Sequence, residues 1–148
     1  AGEAYERGLA LKKAGSYKDA LQQFSLAALD APLTFKAMAQ VGICLKSLGQ
    51  SEEAATAFRK ALQAQRSTSA DSIQVRYLLA RTLESLGRID DTLEQYRWIR
   101  REEPDFKDVA ERIERLGDHR SPSPRNAEGT GDGASWVAQL QRILGASK

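Results

Sequence analysis

The chain of 148 residues contains one cysteine and one histidine. The lone thiol, Cys44, excludes an intrachain disulfide and any cysteine-rich zinc site, and the lone imidazole, His119, leaves little for histidine-based metal binding or base catalysis. No apolar run approaches the roughly 20 residues that a membrane-spanning helix requires. The N-terminus lacks a basic-then-apolar signal pattern, which favours a soluble, cytoplasmic chain but leaves the compartment unknown. It begins at Ala1 rather than methionine, which reads as excision from a longer protein. With 4 prolines and 11 glycines, the chain is neither collagen-like nor a proline-rich disordered segment. Charge of one sign is scarce too: 22 Lys and Arg stand against 20 Asp and Glu, a net of +2. That balance does not announce a nucleic-acid surface.

What is present is a globular composition, 41% hydrophobic and 28% charged, at about the length of one domain. Such a chain buries roughly 70% of its unfolded surface and needs no covalent staple. Three glycines, Gly15, Gly49 and Gly87, each follow about a dozen residues with helical apolar spacing, and another helical stretch follows each. Anchored on them, three copies align, 34 and then 38 residues apart. The first carries Gly8, Leu11, Gly15, Tyr17, Ala20, Phe24, Ala27 and Pro32. The second has Gly42, Leu45, Gly49, Ser51, Ala54, Phe58 and Ala61. In the third stand Ala80, Leu83, Gly87, Ile89, Thr92, Tyr96, Ile99 and Pro104.

These copies resemble the tetratricopeptide repeat, a helix–turn–helix of 34 residues with small and aromatic residues at fixed offsets. The resemblance covers residues 2–104 and implies an all-α solenoid of antiparallel helix pairs. Repeats are placed at about 2–34, 36–66 and 72–104, with helices near 2–14, 18–30, 34–48, 52–65, 72–86 and 90–102. Gly8, Gly42 and Ala80 are small where the two helices of a repeat cross, while Phe24, Phe58 and Tyr96 fill the gap between repeats. Gly15, Gly49 and Gly87 supply the left-handed residue that ends a helix. Ser16, with Asp19, and Ser51, with Glu52 and Glu53, are expected to cap the helices that follow. Thr92 and Ile99, where alanines are usual, imply a bulkier third junction, and Ser67–Asp71 reads as a lengthened loop. Asp105 is expected to cap a one-sided helix over 105–116 that covers the solenoid's last face. Residues 117–134 read as a flexible linker. Residues 135–145 read as an amphipathic helix with Trp136, Val137, Leu140, Ile143 and Leu144 on one stripe, a possible docking element.

Catalytic chemistry is hard to assemble. His119 stands in the linker, and Gly129–Gly133 has neither a preceding strand nor a following Gly-Lys-Ser/Thr, so it is no phosphate loop. Glu52–Glu53 and Asp90–Asp91 lie in first turns of helices, where carboxylates suit the helix dipole without any metal. Cys44 reads as a small core residue. Ser121-Pro-Ser-Pro124 between two arginines reads as ordinary linker. Arg97-Trp98-Ile99-Arg100-Arg101 interleaves basic and aromatic groups, but Trp98 points away from the arginine face, so partner contact or plain packing fits better than RNA. No catalytic residue, metal or cofactor is expected, and the chain reads as a non-enzyme.

The family resemblance implies work on the concave face, which the first helices of the repeats line. Projecting the copies places Tyr5, Leu9 and Lys12 there from the first repeat. Lys36, Ala39, Ile43 and Lys46 come from the second, and Gln74, Tyr77 and Arg81 from the third. Some members of the family grip a chaperone's C-terminal carboxylate with Lys, Asn, Asn, Lys and Arg; here those positions hold Tyr5, Leu9, Gln40, Gln74 and Leu78, and none matches. The expectation is a protein–protein interaction scaffold or adaptor domain that binds a partner helix or extended peptide in the groove. One rival is a self-associating or autoinhibited module, a homo-oligomer in the first case, whose C-terminal helix fills its own or a neighbour's groove. A nucleic-acid-binding module is the other.

Overall fold

A computed structural model describes residues 2–64 and 69–118. The chain divides into two units, Ala1–Ile113 and Glu114–Lys148. The second is described only as far as residue 118. Seven α-helices appear among the described residues, and no strand. They are α1 (Gly2–Lys13), α2 (Tyr17–Ala27), α3 (Thr34–Ser47), α4 (Ser51–Ala64), α5 (Ser69–Ser85), α6 (Ile89–Glu102) and α7 (Val109–Asp118). A short 3-10 turn, Ala31–Leu33, joins α2 to α3, with Pro32 in its first turn. Each helix from α1 to α6 packs on its sequence neighbour. The first unit is thus an all-α helical solenoid, the architecture that the repeat resemblance implies.

The hairpin turns follow from one residue type. Gly15, Gly49 and Gly87 have φ of 85°, 82° and 78°, a left-handed conformation that glycine adopts without a Cβ penalty. In each turn the next residue's N–H reaches back five positions: Ser16 to the Leu11 carbonyl, Gln50 to Leu45 and Arg88 to Leu83, at 2.8, 2.8 and 3.1 Å. Each glycine N–H bonds the following carbonyl, that of Lys12, Lys46 or Glu84, at 3.0 Å. Two otherwise orphaned carbonyls per helix are thereby satisfied. A Cβ at any of the three glycines would meet no atom within 4 Å, so a substitution there strains the backbone without crowding anything. Gly49→Ala is expected to lower stability by about 1 kcal/mol, and Gly49→Val by more. Urea denaturation with an unchanged slope checks this, and an unshifted midpoint contradicts it.

A second kind of glycine sets how closely the paired helices approach. A Cβ on Gly8 would lie 2.6 Å from the Phe24 ring, and one on Gly42 would lie 2.5 Å from Phe58. Both rings are completely buried. The main core runs from Ala20 and Phe24 through Phe35, Val41, Leu45 and Phe58 to Val75, Leu79 and Leu83. It thus crosses all three repeats, as a solenoid requires. The third junction is bulkier: Thr92 and Ile99 are fully buried, and the Thr92 hydroxyl donates to the Arg88 carbonyl at 2.7 Å.

Four local expectations are corrected. Ser16 stands at the N-cap of α2, but its side chain makes no capping bond; its ψ of 69° lies outside the usual cap geometry. Ser51 lies inside α4 rather than before it. The stretch expected as a loop over Ser67–Asp71 is helical from Ser69, three residues before the expected start at 72, with Asp71 in the favourable first turn; residues 65–68 fall outside the described residues. The covering helix starts at Val109, not 105, and runs through 117 and 118, two residues expected in the linker. Its start is delayed because Lys107 adopts φ 45° and Phe106 turns back onto Tyr77, their ring centroids 5.7 Å apart.

Candidate functional site

The first helices of the three pairs, α1, α3 and α5, share one side of the first unit. A cleft of about 380 Å3 opens across it. Tyr5 lines it from α1, Phe35, Lys36, Ala39 and Gln40 from α3, and Asp71, Gln74 and Val75 from α5, with Pro32 beside them. Phe35 and Val75 are buried and form an apolar floor. Tyr5 is half-buried: its ring meets Phe24 edge-on with centroids 5.5 Å apart, and the Lys36 ammonium lies 4.6 Å above it. The rim is polar, with Lys36 and Gln74 exposed.

Of the ten groove residues expected from sequence, Tyr5, Lys36, Ala39 and Gln74 line this cleft. Leu9 and Ile43 are half-buried and packed against the main core. Lys12 bridges α1 to α3 by donating from Nζ to Gln40 Oε1 at 2.7 Å. Lys46 is half-buried; burial, then the neighbouring charge of Arg81, hold its pKa below the ordinary lysine value. Tyr77 is drawn out of the cleft. Its hydroxyl donates to Asp108 Oδ1 at 2.7 Å, accepts from Arg81 Nη1 at 3.4 Å, and its ring carries Phe106 and the Lys107 ammonium. Phe35, Gln40, Asp71, Val75 and Pro32 were missing from the expected set. A single stripe drawn along each helix omits the flanking positions that neighbouring helices bring to the same opening.

Beside Tyr77, a polar cluster ties α5 and α6 to the start of α7. Glu84 accepts from the Tyr96 hydroxyl at 2.8 Å and from Arg112 Nη1 at 3.1 Å, while Arg112 Nε donates to Asp108 Oδ2 at 2.7 Å. Burial pushes the Tyr96 phenol well above its ordinary pKa, and its hydrogen bond to Glu84 adds to that. Burial also favours a protonated Asp108. Hydrogen bonds from Tyr77 and Arg112, with the Arg112 charge, outweigh it and hold the carboxyl below its usual range.

Elsewhere the candidates resolve into packing. The Arg76 guanidinium covers the half-buried Trp98 ring at 4.0 Å and donates to Gln95 Oε1 at 2.9 Å, so that indole already has a cation stacked on it. Cys44 is fully buried, and burial raises its thiol pKa, the setting of an inert thiol. Among the described residues, no group of three or more His, Cys, Asp or Glu is placed to hold a metal ion. No described helix is long and apolar enough to cross a membrane. His119, the segment to residue 134, and the stripe Trp136, Val137, Leu140, Ile143 and Leu144 lie outside the described residues.

Compared with protein families, residues 35–68 match the model described as tetratricopeptide repeat. The matched stretch is the second of the three copies, the one that holds Gly42, Gly49 and Phe58. No curated protein matches the chain.

Proposed function

We propose that this tetratricopeptide-type solenoid is an adaptor or scaffold that holds a protein partner by a segment laid along the shared side of α1, α3 and α5. The observation that carries the reading is the reach of the cleft: a single opening is lined from the first helix of all three repeats. A dent within one repeat would suit a small molecule, whereas an opening across three suits an elongated ligand. Its chemistry also fits a protein interface, with an apolar floor of Tyr5, Phe35, Ala39 and Val75 under a rim of Lys36, Gln40 and Gln74. The apolar contacts dominate affinity, because exposed charge pairs contribute individually only about 0–1 kcal/mol.

The test fills the opening without touching the core. Gln74 is exposed, so Gln74→Trp should leave helicity and melting unchanged while placing an indole over the cleft. Selection of displayed random peptides on the native chain should enrich a recurrent pattern, and the variant should lose it. Enrichment that Gln74→Trp leaves intact would put the interaction elsewhere.

A further inference from the structure

The charges on the same side of the first unit are distributed unevenly. Five cations lie along it: Lys12, Lys36, Lys46, Arg81 and Lys107. Lys12 rests on a neutral amide, and Lys36 and Lys107 each sit over a tyrosine ring. Arg81 reaches the Tyr77 hydroxyl and lies 6.0 Å from the centroid of that ring. Among the described residues none of the five forms an ion pair, and the pairs that are formed, Arg88 with Glu52 and Arg112 with both Glu84 and Asp108, use none of them. The carboxylates of Glu84 and Asp108 are committed to Arg112 and to the hydroxyls of Tyr96 and Tyr77. Asp71 stands at the cleft rim beside Gln74. The first helices α1, α3 and α5 carry seven Lys or Arg against four Asp or Glu, whereas the second helices α2, α4 and α6 carry six against seven, so the cationic surplus lies on the first helices.

Lys46 and Arg81 form a like-charged pair. Both are half-buried, they come from adjacent repeats, and their mutual repulsion is one cause of the depressed lysine pKa. Holding two like charges together at a partly desolvated surface is unfavourable until an anion joins them.

We propose that the partner segment is acidic, with side-chain carboxylates set between Lys46 and Arg81 and an apolar side chain seated over Tyr5 and Phe35. The inference rests on the groove reading above and supplies its partner chemistry. It is not a grip on a chain terminus, since Tyr5, Leu9, Gln40, Gln74 and Leu78 occupy the positions that a terminal-carboxylate clamp uses. Nucleic acid fits less well. The Tyr5 ring is covered by Lys36 and the Tyr77 ring by Phe106 and Lys107, which leaves no bare platform for base stacking.

The experiment is the same random-peptide selection, read for charge and repeated on two variants of the full chain, Lys46→Glu with Arg81→Glu and Lys46→Gln with Arg81→Gln. Native chain should enrich Asp and Glu at fixed offsets from an apolar residue, with no need for a free C-terminus. A synthesised consensus peptide should bind the Gln pair about tenfold more weakly, and its affinity for native chain should fall with salt. The Glu pair should reject it and accept the peptide with Lys in place of its acids. Circular dichroism checks both folds, and the neutral pair carries the readout if the reversed pair unfolds. A neutral consensus that Gln74→Trp abolishes but the charge variants leave unchanged would overturn the acidic partner and keep the groove. A consensus that none of the variants disturbs, or no enrichment at all, would overturn both. Salt-sensitive binding of poly(U) RNA that the Gln pair loses, without acidic enrichment, would assign the cations to phosphate and overturn the proposal.

Discussion

Phe58→Ala is expected to destabilise the protein by about 3–5 kcal/mol, the range for truncating a fully enclosed aromatic ring. Phe58 has no exposed surface, and it joins the main core that runs through all three repeats. Against a typical total stability of about 5–15 kcal/mol, such a loss leaves a substantial unfolded population. The matching lesion on the other helix works by crowding. Gly42→Ala would place a methyl carbon where atoms of the Phe58 ring already stand, at 2.5–2.8 Å. Because the ring is enclosed, it has little room to retreat, and about 1–3 kcal/mol is expected from the overpacking. The two defects should cancel in part. Phe58→Leu removes ring atoms from the space that the Gly42→Ala methyl needs, so the double variant should be more stable than the sum of the singles predicts. A coupling of about 0.5–3 kcal/mol is expected for residues in direct contact. Denaturant midpoints for the four proteins of this cycle give the answer; strictly additive effects would show that the close approach does not limit the packing of this helix pair.

That pair also shows why so much of the fold was legible in the sequence. Two kinds of glycine serve different purposes, and both leave a periodic trace. Gly15, Gly49 and Gly87 end helices through their own φ, a local property, and so the six helix boundaries they govern fall within a few residues of expectation. Gly8 and Gly42 mark close crossings, and their recurrence relative to the turn glycines shows which aromatic ring each one faces. Where local sequence decides, the reading holds.

The misplaced features depend on contacts far along the chain. Nothing between residues 103 and 109 signals that Phe106 packs on Tyr77 or that Asp108 accepts from the Tyr77 hydroxyl, 31 positions away. Pro104 followed by Asp105 is a plausible helix start by itself, and tertiary packing moves the start to Val109. The site was half legible for the same reason. Helical projection found the side of α1, α3 and α5 that lines the cleft, because that depends on position within a repeat. It left out Phe35, Gln40 and Val75, which enter through the placement of one helix against the next. It kept Tyr77, whose ring and hydroxyl are taken by the α6–α7 connection. Arg76 was missed altogether: an arginine in the middle of an amphipathic helix gives no sign that it will lie across Trp98.

The start of α7 offers the second large effect, because one side chain holds it. Arg112 donates to Asp108 and to Glu84, and its side chain is only 16% exposed. Arg112→Met keeps an apolar stem of similar reach and removes every donor. Glu84 would keep only the Tyr96 hydroxyl, and Asp108 the Tyr77 hydroxyl and its own backbone N–H, so each carboxylate loses its charged partner. Both remain partly open to water, 25% and 36% exposed, so the expected loss is about 1–3 kcal/mol rather than the larger figure for a sealed pair. Val109 is fully enclosed and Ile113 nearly so; with two apolar anchors remaining, the damage should be local, with amide exchange of Val109–Ile113 accelerating well before that of α3 and α4. Acid should have the same effect through Asp108. Its folded-state pKa lies below the unfolded value, so its contribution is complete above the ordinary carboxylate range and is lost as pH falls through the folded value. Exchange at Val109–Ile113 should therefore rise relative to α3 below about pH 4, at the ordinary aspartate pKa, and be insensitive to pH between neutrality and mild alkali. In Arg112→Met that acid response should shrink, since the charge that lowers the Asp108 pKa is gone. Unchanged protection of Val109–Ile113 in the variant at neutral pH would show that the apolar contacts of Val109 and Ile113 hold the helix by themselves.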